Sequence, residues 1–190
     1  MEELRLFWAV NLPPELKAEL GGFQTELKKL SPDAKWMRQE NLHLTVKFLG
    51  AVGISILPEL PRAVAETMSG LAPFRLKLAG WGTFGRPPRV LWVGVHGNVE
   101  ALRELRVRVE KALVPLGFPA EDKAFSPHLT LARLRSPRNL DPLREQAARL
   151  DAARSPWGRF AVDRIDLMQS TLTRQGPVYR VVSTVGLTAG

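Results

Sequence analysis

Apolar residues follow two rhythms along this chain, one with the period of a strand and one with the period of a helix. Leu4-Arg5-Leu6-Phe7-Trp8-Ala9-Val10 is a short, mostly apolar run that suits a buried strand. Pro13-Pro14 marks a turn and a helix start. Leu16, Leu20, Phe23, Leu27 and Leu30 then recur at helical spacing as one apolar stripe. Residues 43–49 form the next strand candidate, ended by Gly50, and 57–68 a second helix. Over 73–79 the pattern alternates, with Phe74, Leu76 and Leu78 on one face of a strand. Residues 80–88 read as a Gly/Pro/Arg loop.

After that loop the order recurs. Residues 90–95 are an apolar strand. Asn98 is a good helix N-cap, followed by the stripe Leu102, Leu105, Val109 and Leu113. A strand is expected over 128–134, a short helix over 140–150, an alternating strand over 160–167 and a last strand over 178–185. Matching features are separated by a constant interval: His43 and His128 by 128 − 43 = 85 residues, Pro73 and Gly158 by the same number. Residue identities hardly repeat, so the pattern is duplicated and the sequence is not. The expectation is one domain over 1–190, built from two related lobes at roughly 1–85 and 86–190, with room for strands to be exchanged between them. Strand–helix alternation argues α/β or α+β, with helices over one face of each sheet.

Composition narrows the class. The 190 residues are 45% hydrophobic and 24% charged, which is ordinary globular composition. A net charge of +8 favours polyanions such as RNA, DNA or an anionic membrane. An Arg-rich bias from a GC-rich or thermophilic source would produce the same surplus. Cysteine is absent, which excludes disulfides, Cys-ligated zinc and a thiol nucleophile. Met1-Glu2-Glu3 is acidic where an export signal is basic, and no run approaches the ~20 apolar residues of a membrane span. A soluble, cytoplasmic protein with no membrane partner is expected.

The chemistry lies in the histidines, of which there are three: His43, His96 and His128. Two open the same phrase, His43-Leu44-Thr45-Val46 and His128-Leu129-Thr130-Leu131. On a strand, His43 and Thr45 project from one face, as do His128 and Thr130, with the aliphatic residues behind them. Opening a cyclic phosphodiester with water needs a base for the water proton and an acid for the leaving alkoxide. Histidine, with an ordinary pKa near ~6.5, serves as either. A threonine hydroxyl beside each can bond a phosphate oxygen. One such motif alone is weak, because strands are rich in Thr and aliphatics. Two copies at matched places in a repeated pattern point to one shared site. Zinc needs three or four ligands; His96, which lacks a Thr partner and adjoins Gly97-Asn98, is read as structural or solvated.

These phrases resemble the 2H phosphoesterase superfamily, and within it the bacterial and archaeal RNA 2′,3′-cyclic phosphodiesterase branch, historically called 2′-5′ RNA ligase. The resemblance is carried by the double motif and by Arg5-Leu6-Phe7-Trp8-Ala9-Val10, Lys47-Phe48-Leu49-Gly50, Phe125-Ser126-Pro127 with Ala132-Arg133, and Gly176-Pro177-Val178-Tyr179. It implies an α+β fold of two pseudo-symmetric lobes of antiparallel sheet, helices outside, and an active-site cleft between them. It also implies His43 as proton donor and His128 as proton acceptor, with Thr45 and Thr130 beside them. The reaction would be hydrolysis of RNA 2′,3′-cyclic ends to 2′-phosphomonoesters without metal or cofactor, and 2′-5′ ligation a side activity. The expected partner is an RNA end, and a monomer is expected. Arg133 matches a family arginine that contacts phosphate, although strict alternation puts it on the face opposite His128.

Further substrate contacts are expected from Lys47, which by alternation shares the face of His43, and from Phe7 and Tyr179, which could stack on a base. Each has a plainer reading: a solvated strand end for Lys47, core packing for Phe7. Residues 80–88 lack a Gly-Lys-Ser/Thr ending, so a P-loop is unsupported. The competing functional class is an RNA-binding module whose motifs only grip a terminal phosphate.

Overall fold

The structure, a computed structural model, describes residues 2–122, 124–174 and 176–189. The strands are β1 (Glu3–Asn11), β2 (Ala34–Trp36), β3 (His43–Gly53), β4 (Phe74–Phe84), β5 (Val90–Gly97), β6 (His128–Leu134), β7 (Gly158–Val162), β8 (Arg164–Thr173) and β9 (Gly176–Gly186). The helices are α1 (Pro14–Lys28), α2 (Glu59–Thr67), α3 (Val99–Leu113) and α4 (Leu140–Arg154). Pro14 starts α1, where its missing N–H costs nothing. Asn98 caps α3 through its side-chain oxygen, which accepts from the Ala101 N–H at 3.1 Å.

The fold is α+β, with two antiparallel sheets in the orders β3-β1-β8-β9 and β2-β6-β5-β4-β7. The halves of the chain are interleaved. β1, flanked by β3 from its own half, pairs on its other side with β8 from the second half, while β4 from the first half pairs with β5 and β7 from the second. Helices α1 and α4 pack together, as do α2 and α3. Their apolar stripes join the inner strand residues in one core, which includes Trp8, Leu20, Phe23, Leu60, Leu78, Leu105, Leu129 and Ile165. Burial of that area is the main stabilising term. The opposite strand faces are left to form a cleft.

Two local expectations are corrected, and one strand was not anticipated. Residues 80–88 are not all loop: β4 continues through Phe84. Gly82 is a strand glycine, because a Cβ there would lie 2.3 Å from the Trp92 ring, which occupies that space. The expected strand over 160–167 is two strands, since β7 ends at Val162 in one sheet and β8 begins at Arg164 in the other. The three-residue β2 carries no periodic signal; it forms by pairing with β6.

Candidate active site

His43 and His128 each open a strand, β3 and β6, and both line one cleft of about 850 Å3 together with Thr45 and Thr130. Each ring is anchored in the same way. His43 Nδ1–H donates to the Asn41 carbonyl at 2.7 Å, and His128 Nδ1–H donates to the Ser126 carbonyl at 2.8 Å. Each acceptor lies two residues before its histidine, so the anchoring follows the duplicated pattern. With Nδ1 committed as donor, the neutral ring keeps its lone pair on Nε2. The Nε2 of His43 is 3.0 Å from the Thr45 hydroxyl, which donates to it when the ring is neutral.

The environments of the two rings differ. Phe7 lies 4.9 Å from His43 between ring centroids, and Tyr179 meets it edge-on at 5.4 Å. The Asn41 side-chain amide donates to the Pro177 carbonyl at 2.7 Å, tying the approach to β3 onto β9. Burial pushes the His43 imidazole down to about 4; the Asn41 carbonyl opposes the shift and the Lys17 ammonium adds to it. A smaller cavity of about 240 Å3 also reaches His43 and is bordered by Asn11, Lys17 and Tyr179. His128 is met edge-on by Phe84 at 4.8 Å, and Phe84 in turn packs on Trp92 at 5.1 Å.

Strict alternation fails at matched points in both strands. In β3 the register slips between Thr45 and Lys47, leaving Val46 as the extra residue; in β6 it slips between Thr130 and Ala132, leaving Leu131. A bulge reverses the facing of every residue after it. Arg133 therefore lies opposite Val90 on the His128 side, exposed in the cleft, and not on the far face. Phe48 takes the corresponding place on β3, where it is 62% exposed. Lys47 is turned the other way. It pairs with core-facing Trp8, is 4% exposed, and donates from Nζ to the Pro119 carbonyl at 2.6 Å. Glu110 and Glu121 lie 3.8 and 3.7 Å from its ammonium. Both also hold Arg106, whose guanidinium covers Phe125. Lys47 thus supports the wall of the cleft with a charge that is already neutralised.

Phe7 is buried in the cleft floor, in contact with Tyr179 at 5.0 Å, and half-buried Tyr179 is the more accessible of the two. Burial raises the Tyr179 phenol, with Arg133 and Arg5 acting in the opposite direction. His96 stands away from the cleft and bonds the Ala79 carbonyl at 3.0 Å. Among the described residues no three His, Asp or Glu side chains gather as a metal site, and no helix is long and apolar enough to cross a membrane. Residues that sequence reasoning did not single out include Arg5, Lys35, Phe48, Phe84 and the Asn41 and Ser126 carbonyls. The 85-residue interval, applied to positions 41 and 126, would have paired the two carbonyls.

A two-sheet α+β scaffold with one His-x-Thr strand on each wall of a cleft defines a duplicated-motif phosphoesterase architecture. The chain belongs to the 2′-5′ RNA ligase superfamily, whose model matches residues 12–174. Curated relatives called RNA 2′,3′-cyclic phosphodiesterase include one from Methanothermobacter thermautotrophicus, 35% identical over 93% of this chain and 95% of its own. Another, from Aeropyrum pernix, is 39% identical over 80% of this chain and 85% of its own. Among solved structures, TT0787 of Thermus thermophilus superposes with a TM-score of 0.77 at 29% identity, covering 97% of this chain and 98% of that one. E. coli LigT, complexed with 3′-AMP, shares the fold at a TM-score of 0.76 and 22% identity, over 98% and 99% of the two chains.

Proposed function

We propose that this protein hydrolyses RNA 2′,3′-cyclic phosphodiester ends to 2′-phosphomonoesters by acid–base catalysis between two histidines, without a metal. The observation that carries the reading is the twin anchoring of His43 and His128, each bonded through Nδ1 to a carbonyl two residues back and both bordering one cleft. His128 Nε2 takes a proton from water as its oxygen attacks phosphorus. The bond from phosphorus to the ribose 3′ oxygen breaks, and His43 Nε2–H protonates that oxygen. Solvent then returns the proton balance. Thr45 and Thr130 donate to the non-bridging oxygens, and Arg133 adds a charge-assisted contact.

His43 must be protonated to serve as the acid, yet burial holds it near 4. An anionic phosphodiester within ~4–6 Å favours the imidazolium, so substrate itself loads the acid. If an RNA 5′-hydroxyl replaces water, the same displacement leaves a 2′-5′ bond, and ligation is a side activity held down by bulk water. The working state proposed is a cytoplasmic monomer, in keeping with the absence of cysteine.

The test is turnover of a 2′,3′-cyclic nucleotide in EDTA, with the product identified as 2′- or 3′-phosphate. His43→Ala and His128→Ala are each expected to lose about 10²–10⁴ in rate. Absence of wild-type turnover, or a 3′-phosphate product, overturns the reading. A substrate with sulfur in place of the 3′ oxygen separates the roles, because a thiolate leaves unprotonated. His43→Ala is expected to recover on that substrate and His128→Ala not; the opposite result reverses the assignment.

A further inference from the structure

Three of the cations lining the cleft are neutralised: Lys47 and Arg106 share Glu110 and Glu121, and Arg38 pairs with Glu40. Three are not: among the described residues the side chains of Arg5, Lys35 and Arg133 make no hydrogen bond or ion pair, and all three line the cleft. Two of them are set directly against each other. Lys35 on edge strand β2 is the register partner of Arg133 on β6, and the bulge at Leu131 turns both toward the site. Like charges directly opposite on antiparallel strands are destabilising. With no carboxylate between them, the arrangement becomes favourable only when an anion arrives.

The reacting cyclic phosphate has a single negative charge, and Arg133 suffices for it. Lys35 is surplus to that step. The cleft is also large for a lone cyclic nucleotide: about 850 Å3 lies near the upper end of the ~300–1,000 Å3 of small-molecule pockets. Two apolar side chains stand largely open in it, Phe48 at 62% and Leu172 at 64% exposure. Aromatic and apolar groups beside a positive groove suit stacked bases and a tracked backbone.

Resting on the function proposed above, we propose that Lys35 forms a second-phosphate subsite for the internucleotide phosphate on the 5′ side of the cyclic end, so that the preferred substrate is an RNA strand of at least two nucleotides. The edge position of β2 leaves this cation reachable by a strand entering along the cleft. Arg5 on the facing wall extends the positive track.

The experiment compares kcat/KM for a mononucleoside 2′,3′-cyclic phosphate, a dinucleotide ending in the same cyclic phosphate, and that dinucleotide with an uncharged methylphosphonate linkage. Wild type is expected to favour the charged dinucleotide over both others by about tenfold, the worth of one charge-assisted contact. In Lys35→Gln that preference falls to near one, and the slope of log(kcat/KM) against log salt becomes shallower by about 0.7. Relief of the repulsion leaves the melting temperature of the variant equal or higher. An intact preference in Lys35→Gln, or a wild-type preference that survives the methylphosphonate, overturns the subsite. Equal wild-type turnover of all three substrates overturns it too, while the cyclic phosphodiesterase reading stands. Turnover of none of them overturns the function reading instead.

Discussion

Replacing His43 with Gln tests whether burial sets the protonation of the cleft. The folded imidazole sits at about 4, mainly because burial penalises its charged form. In the unfolded chain it returns to ~6.5, and each unit of difference corresponds to ~1.36 kcal/mol. The sign follows from proton counts. Between pH 6.5 and 4 the unfolded chain binds a proton that the folded protein refuses, so stability falls as the pH is lowered through that window. Above pH 6.5 the group contributes nothing to the slope. By pH 4 the wild type has lost about 3 kcal/mol through this group alone. His43→Gln lacks that loss while keeping every carboxylate that titrates in the same range. Urea unfolding of both proteins at pH 7.5 and pH 4 should therefore show the wild type losing about 3 kcal/mol more. Parallel losses in the two proteins refute the argument, as does an NMR titration of His43 with its midpoint near the ordinary histidine value. Saturating inorganic phosphate should move the midpoint upward, because the bound anion favours the imidazolium.

Two further substitutions probe the supports of the site. Glu110→Gln leaves Lys47 and Arg106, both nearly buried, with only the half-exposed Glu121 as counter-ion; a loss of about 3 kcal/mol in thermal or urea unfolding is expected, and no change would mean the network is not stabilising. Gly82→Ala drives a methyl group into the Trp92 ring. It should cost about 1–3 kcal/mol by overpacking and lower kcat more than it raises KM, since Trp92 supports Phe84 against His128.

Much of this molecule is legible along the chain. The helices are marked by apolar stripes, Pro14 and Asn98, which act within a few residues of themselves. The paired motifs are legible because His, Thr and their aliphatic neighbours are local features. Residues 80–88 mislead because Gly82 signals a turn by composition, whereas the Trp92 ring that explains it comes from a different strand. The split between β7 and β8 is equally hidden: the alternation runs across it, and the two strands separate only because each finds a different sheet.

The sequence by itself determined the class of fold, the two histidines with their threonines, and the interval that makes them a pair. Those depend on identity and spacing along the chain, which folding does not alter. Only the tertiary structure decided which side chains join them. A one-residue slip against a neighbouring strand turns Arg133 and Phe48 into the open cleft and buries Lys47 in its wall. Pairing of β2 with β6 sets Lys35 against Arg133, and interleaving of the halves brings Tyr179 of β9 beside His43 of β3. Register and strand exchange are properties of partners distant in sequence, and a face read from alternation holds only until the first bulge.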